Sequence, residues 1–310
     1  TFSGWLDTGG TNNAVEIYQL TTGWGPEAFA PFTPPLYPWL HLLPDGRVFE
    51  SGALPASHVF NPSTQTWTTN VATTQLNQER NYGSSVLLPL KPSDNYRPRI
   101  MIMGGTPAGS NNATATAEII DLSAAAPAWN PLPPMSAPRV QMNAVLLPNG
   151  KVLALGGSAS YETDSTASLG ADIFDPTAGT WSSGGTMFRA RMYHSVALLM
   201  PDATVWVAGS NPFQGAWDNT IEAYRPPYLS NASGGLATRP AITTAPATVG
   251  YNTSFQVTTP DAASIASVAL VRAGSSTHAF NFEQRLVNLN FTAASGQLTL
   301  TSPPNSNIAP

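Results

Sequence analysis

The chain has 310 residues and a formal net charge of −5, and only 10% of its residues are charged, against about 25% in typical soluble proteins. It carries no basic stripe, which argues against a nucleic-acid surface, and no apolar run near the ~20 residues of a membrane-spanning helix. It has no cysteine, which excludes disulfides and thiolate metal sites within these residues. With 25 glycines and 29 prolines, the composition predicts many short strands joined by turns rather than long surface helices.

The chain opens with Asp7-Thr-Gly-Gly10, Ala14-Val-Glu-Ile-Tyr18 and Thr21-Thr-Gly-Trp24. This order returns as Leu42-Leu-Pro-Asp-Gly-Arg-Val-Phe49, Ser51-Gly52, His58-Val-Phe-Asn-Pro62 and Trp67. Further copies end at Gly105 and Trp129, at Gly157 and Trp181, and at Gly209 and Tyr224. The closing glycines at 10, 52, 105, 157 and 209 are 42, 53, 52 and 52 residues apart. A period near 50 with four short strands per unit is the signature of kelch-type propeller blades. In each unit one apolar strand enters a Pro-Asp-Gly or Pro-Asn-Gly turn, a second ends at the glycines, and the last ends at a tryptophan expected to fill the space between blades. Residues 1–224 are therefore expected to form blades, the opening segment supplying the later strands of a partial one. About four full units are present where propellers close with 4–8 blades, so the ring is expected to be completed by a missing N-terminal segment or by self-association.

The repeat stops at Tyr224. Arg225-Pro-Pro-Tyr-Leu229 and Asn231-Ala-Ser-Gly-Gly235 read as a boundary. Beyond it, Pro240–Thr243, Ser254–Thr258, Ser267–Arg272, Arg285–Phe291 and Gln297–Thr301 carry short β patterns. They predict an antiparallel, immunoglobulin-like sandwich over 225–310, expected to be truncated because such sandwiches have about seven strands. The fold class is all-β throughout.

One short stretch stands out chemically. Tyr193-His194 sits just before the apolar run Val196-Ala-Leu-Leu199. Neighbours within a strand point to opposite faces, but at a strand's lip a phenol and an imidazole can turn toward one point and ligate a metal. The same dipeptide is also compatible with two side chains bonded to nearby backbone. His41 and His58 match no ligand motif and are expected to be bonded locally. Four sequons, at Asn112, Asn231, Asn252 and Asn290, are compatible with a secreted protein.

Taken together, Leu36-Tyr-Pro-Trp-Leu-His-Leu-Leu-Pro-Asp-Gly-Arg-Val-Phe49, Arg80-Asn-Tyr82, Arg191-Met-Tyr-His-Ser195 with Gly209-Ser-Asn-Pro212, Arg225-Pro-Pro-Tyr-Leu229 and Thr277-His-Ala-Phe-Asn-Phe-Glu-Gln-Arg285 resemble the copper-radical oxidases, the galactose oxidase and glyoxal oxidase family, over the whole chain. The resemblance implies a seven-bladed propeller followed by an immunoglobulin-like domain, and a secreted, extracellular oxidase. It implies copper held by the Tyr193 phenol, the His194 imidazole and His278 from a C-terminal loop reaching into the propeller axis. Tyr193 would also be the catalytic base. The implied reaction oxidises a primary alcohol or aldehyde with O2 to give H2O2. The family's radical resides on a second tyrosine cross-linked to cysteine, and no cysteine is available here; Tyr82 is expected to be pocket wall or core instead. Two other readings remain open at this point: a non-catalytic propeller that binds carbohydrate or protein, and a structural surface or filament protein. The expected partners are a small alcohol, aldehyde or carbohydrate and O2, with no nucleic acid and no membrane span.

Overall fold

A computed structural model describes residues 1–211 and 217–310; Pro212 of the Gly209-Ser-Asn-Pro motif lies outside the described residues. The protein is all-β, its only helical pieces among the described residues being single turns of three residues. Alternating apolar residues and turn-forming glycines and prolines produce consecutive antiparallel sheets, each a simple meander. Sheet I comprises Leu40–Leu42, Val48–Glu50, Ala56–Asn61 and Thr66–Thr73. Sheet II comprises Ser84–Leu87, Arg99–Met103, Ala117–Asp121 and Trp129–Leu132. Sheet III comprises Val140–Leu146, Val152–Ser158, Gly170–Asp175 and Thr180–Thr186, and sheet IV has three strands, Val196–Leu199, Val205–Ala208 and Ile221–Tyr224. Ahead of them, Ala14–Val15 pairs with Ala28–Phe29 and Tyr18–Gln19 with Gly23–Trp24.

Apolar side chains fill the spaces between successive sheets. Phe49, Val59, Leu87, Ile100, Ile120 and Trp129 join sheets I and II; Val86, Met101, Met142, Val152 and Phe174 join II and III; Val145, Leu153, Ile173, Ala197 and Val205 join III and IV. The repeating tryptophan fills the space between sheets in the interior of the array, but it opens the fourth strand rather than ending it: Trp67 lies in Thr66–Thr73, Trp129 in Trp129–Leu132 and Trp181 in Thr180–Thr186. Trp129 is 1% exposed and donates its Nε1–H to the Ser57 hydroxyl of the preceding sheet at 3.0 Å. Trp181 reaches back to the Pro133 carbonyl at 2.8 Å, whereas Trp24 is 58% exposed beside Tyr18.

Three arginines pin this stack. Arg80, Arg139 and Arg191 enter the first strands of sheets II, III and IV, and each is at most 1% exposed. Each guanidinium donates to a glycine carbonyl where the second strand ends: Gly104, Gly156 and Gly209 respectively. Each also pairs with a carboxylate on the third strand: Glu118 at 2.6 Å, Asp172 at 2.9 Å and Glu222 at 3.0 Å. The planar guanidinium has five donors in a fixed fork. It therefore ties three strands at once, which a lysine could not.

The C-terminal residues form one antiparallel sheet of Ser254–Thr258, Gln297–Thr301, Arg285–Ala294 and Val268–Arg272. Gln297–Thr301 matches its sequence pattern. Pro240–Thr243 forms no strand: proline lacks the N–H that a ladder needs, and pairing is confined to Thr243–Thr244 against Thr258. A hairpin, Ser276–Thr277 with Phe280–Asn281, leaves this sheet and packs against the first strands of sheets II, III and IV. Its docking is polar as well as apolar. Gln284 accepts the Leu146 N–H at 2.7 Å and donates to the Ala144 carbonyl at 3.1 Å. Arg285 donates to the carbonyls of Leu42, Asn307 and Ile308. Phe280, fully buried, meets His41 edge-on.

Candidate metal centre

The hairpin turn brings His278 to the lip of sheet IV. The ring centres of His194 and His278 lie 5.0 Å apart, Tyr193 and His194 3.8 Å, and Tyr193 and His278 5.8 Å. The three side chains named from the sequence are therefore in one cluster although His278 lies 84 positions after His194 in the chain. Among the described residues no group of three or more histidine, cysteine, aspartate or glutamate side chains could hold a metal ion; beside the two imidazoles of this cluster lies the Tyr193 phenol.

Local backbone explains the arrangement. Arg191 anchors the approach to sheet IV through the Gly209 and Thr220 carbonyls and Glu222. The Asn211 N–H then donates to the Tyr193 carbonyl at 2.7 Å. His194 has φ +60, and His278 and Ala279 have φ +49 and +70. Left-handed backbone is costly for residues with a Cβ and persists where the surroundings impose it, often at functional sites. Gly209 permits the close approach: a Cβ there would lie 2.8 Å from the His194 carbonyl oxygen, and its φ is +73.

The donor set suits a borderline-soft transition metal. His278 Nδ1 is 2.7 Å from the Thr277 hydroxyl, which leaves Nε2 as the free ligand atom, as second-sphere bonds commonly arrange. Partial burial, with His194 nearby, holds the His278 imidazole below its ordinary pKa and so keeps its lone pair available. Two imidazoles sharing one ion at metal–nitrogen distances of about 2.0–2.1 Å have ring centres roughly 4.5–6 Å apart, and the 5.0 Å separation falls inside that range.

Around this cluster stand Tyr82, which the sequence reading placed in the pocket wall or core, and three residues it did not single out, Tyr37, Tyr161 and Glu162. The Tyr37 ring stacks on His278 at 3.7 Å and 9°; it lies within the quoted Leu36-Tyr-Pro-Trp motif, the one signal that pointed to it. Tyr82 sits edge-on to Tyr193 at 5.9 Å and to Tyr161 at 6.4 Å. Burial, then Tyr161, Tyr193, Tyr37 and Glu162, push its phenol up to about 12. The Tyr193 phenol is raised too, by burial and then by Tyr37, Glu162 and Tyr161. Neither Tyr161 nor Glu162 belongs to a motif; they sit in the loop between the second and third strands of sheet III.

His58 is bonded within its own sheet, as expected, whereas His41 bonds across to the first strand of sheet II. His41 Nε2 is 2.7 Å from the Ser85 hydroxyl, and burial followed by Arg285 lowers its pKa to about 3. His58 Nδ1 accepts the Asn70 N–H, and its ring stacks on Phe32.

The glyoxal oxidase N-terminus family matches residues 28–228. The chain belongs to that family. The galactose oxidase-like early set domain matches residues 239–310. A putative aldehyde oxidase of Artemisia annua, Art an 7, is 30% identical over 320 residues, an alignment covering 89% of this chain and 53% of that protein. Galactose oxidase of Gibberella zeae is 28% identical over 285 residues, covering 87% and 41%. A solved fungal alcohol oxidase of the AA5 family, in complex with copper, superposes with a TM-score of 0.84 at 24% identity, covering 96% of this chain and 65% of that one; at that identity the likeness is one of fold. The chain spans about half the length of the curated relatives it matches.

Proposed function

We propose that this chain is the copper-holding portion of an extracellular oxidase that converts primary alcohols or aldehydes with O2, releasing H2O2. The observation that carries the reading is the clustering of the Tyr193, His194 and His278 rings, drawn from two separate parts of the chain, within 3.8–5.8 Å. Family membership supports it, as do the oxidase activities for which the relatives are named. The four sequon asparagines, Asn112, Asn231, Asn252 and Asn290, are all exposed, which supports the extracellular part. No helix of the described residues is long and apolar enough to cross a membrane. The same reading takes the consecutive sheets as blades of a kelch-type propeller whose remaining blades lie outside this sequence.

The His194 and His278 imidazoles and the Tyr193 oxygen would hold the ion. When bound, copper supplies one-electron redox chemistry and a cation that acidifies a ligated hydroxyl. Tyr193 is the group within reach to receive the substrate's hydroxyl proton, at its phenolic oxygen. Tyr37 and Thr277 keep the His278 ring in orientation, one by stacking on its face and the other through Nδ1. Without a cysteine, no thioether-linked tyrosine can form from these residues, so the radical half of the reaction is not assigned to them.

Titrating the chain with Cu(II), alongside His194→Ala and His278→Ala, tests the proposal. Each substitution is expected to weaken binding at least ~10-fold, the scale of losing even a supporting metal contact. The chain alone should give no peroxide from alcohols or aldehydes. Copper affinity indifferent to both histidines would overturn the ligand set, and peroxide turnover by the cysteine-free chain would overturn the division of labour.

A further inference from the structure

The chain's only two lysines, Lys91 and Lys151, line the same cavity, and Arg99 joins them in its wall. Its volume is about 450 Å3, within the 300–1,000 Å3 typical of ligand pockets. In a chain of net charge −5, this is a local concentration of positive charge. Lys91 follows the first strand of sheet II, Arg99 opens the second, and Lys151 leaves the Pro148-Asn-Gly150 turn of sheet III. The C-terminal sheet closes the cavity with Leu286 and Asn288. It is held there by the Leu90 N–H, which donates to the Leu286 carbonyl at 3.0 Å, and by the Asn288 N–H, which donates to the Leu90 carbonyl at 2.9 Å. These turns lie at the opposite ends of the strands from Tyr82 and Gln141, so the cavity shares no residue with the candidate metal centre.

Among the described residues, Asp175 is the one acid in the wall, and it is already bonded to Lys151 at 3.0 Å. Lys91 and Arg99 pair with no carboxylate among the described residues, and Arg99 Nε is buried without a hydrogen-bond partner. The acids near them in sequence are taken by Arg97, whose N–H donates to Asp94 and whose guanidinium pairs with Asp121. Two like charges facing one space repel, and a buried donor left unbonded is costly. We infer that this cavity binds a small, doubly charged oxyanion of the phosphate type. Two negative charges match the two unpaired cations, whereas a monocarboxylate leaves one of them unmatched. The guanidinium fork suits a phosphate's paired oxygens, and the Lys91 ammonium adds a point charge. Asn149 keeps its amide nitrogen for the ligand, because its side-chain oxygen accepts the Lys151 N–H at 3.2 Å. Asn288 and Ser267 line the cavity too and supply further donors. The bound anion ties the turns of sheets II and III to the C-terminal sheet.

The test is calorimetric titration of the chain with inorganic phosphate and with acetate at constant ionic strength, at about pH 8, where phosphate is doubly charged. Phosphate should bind saturably and at least ~10-fold more tightly than acetate, the scale of one added hydrogen bond to a charged group. Lys91→Gln and Arg99→Gln, checked for native circular dichroism, should each weaken phosphate binding at least ~10-fold. Arg99→Lys, which keeps the charge but not the fork, should lose less. Arg47→Gln removes a half-exposed positive charge from the turn of sheet I and should leave the affinity within about twofold, since distant exposed charges are screened. Should Arg99→Gln lose its native spectrum, Lys91→Gln decides alone, because Lys91 sits on a partly exposed turn. A parallel titration with glucose 6-phosphate separates the sources: tighter binding than phosphate points to a phosphate carried on an organic body, weaker binding to the free ion. Absence of saturable phosphate binding, acetate binding as tightly as phosphate, affinity indifferent to Lys91 and Arg99, or an equal loss in Arg47→Gln would overturn the inference.

Discussion

The arginine pin in sheet III makes a sharp energetic prediction. Arg139 and Asp172 are buried, with side chains 0% and 4% exposed and nitrogen and oxygen 2.9 Å apart. Arg139 also donates to Gly156 O at 2.9 Å and Gly170 O at 2.6 Å, and Asp172 receives the Ser136 hydroxyl at 3.0 Å. Asp172→Ala leaves the guanidinium buried with carbonyls only, and breaking a buried pair by removing one partner costs about 3–5 kcal/mol. Arg139→Met leaves a buried carboxylate and orphans the two glycine carbonyls, for a similar cost. The double variant Arg139→Met/Asp172→Leu removes both charges but still strands the carbonyls, at about 1–3 kcal/mol for each unsatisfied group. The double should therefore be less destabilised than the sum of the singles by at least ~1.5 kcal/mol, within the range seen for coupled neighbours. Urea unfolding followed by tryptophan fluorescence reads this, provided the slope with urea is unchanged across the variants. Additivity within about 0.5 kcal/mol, the behaviour of independent sites, would refute the pin as a coupled pair.

Glu50 is fully buried and neither carboxylate oxygen closes a hydrogen bond. Burial raises its pKa well above the usual carboxylate value, and the Gly52 backbone offsets only part of this. A carboxyl whose pKa is raised by folding favours the folded state at low pH and loses that contribution as pH climbs through its folded pKa. Glu50→Gln should accordingly leave the melting temperature nearly unchanged at pH 4 and raise it progressively toward pH 8; a gain that does not grow with pH counts against a buried neutral acid. Trp129→Ala removes a side chain that is 1% exposed and fills the space between sheets I and II, at an expected cost of about 3–5 kcal/mol in urea unfolding. Trp129→Phe should cost less, mainly by orphaning the Ser57 hydroxyl, and a Phe variant as unstable as the Ala variant would show that the bond, not the volume, dominates. Gly209→Ala is expected to destabilise by about 1–2 kcal/mol through its positive φ and to weaken Cu(II) binding by displacing the His194 carbonyl; unchanged copper affinity would break the proposed link.

The periodic parts of the fold were legible in the sequence because each unit repeats the same solution. Glycines at the ends of the second strands recur with nearly fixed spacing and the sheets follow, whereas the tryptophans expected to end the fourth strands open them instead. The pins were not legible. Arg139 lies in no quoted motif, and its carboxylate is 33 residues away on a strand whose alternation reads only as apolar. Pro240–Thr243 failed because β propensity there is outvoted by a missing N–H and by exposure. In the site, Tyr193, His194 and His278 were named from two motifs, whereas Tyr161 and Glu162 come from a loop between strands. A loop residue carries no periodic signal, so only the packing of sheet III beside sheet IV brings these two to Tyr82 and Tyr193.

The hairpin that carries His278 has a consequence for how the molecule would respond to a ligand. His194 rides on the sheet array and His278 on a turn that reaches it only while Gln284, Arg285 and Phe280 stay seated against the inner strands. Any ion gripped by both rings binds the seated arrangement and not the loosened one. Linkage then makes it a clamp, adding about 2.7 kcal/mol to seating at one hundred times its dissociation constant. The relation is reciprocal: a substitution at Gln284, which touches no ligand, lowers ion affinity by whatever factor it loosens the seat. Ion affinity thus becomes a gauge of how firmly the two ends of this chain hold each other.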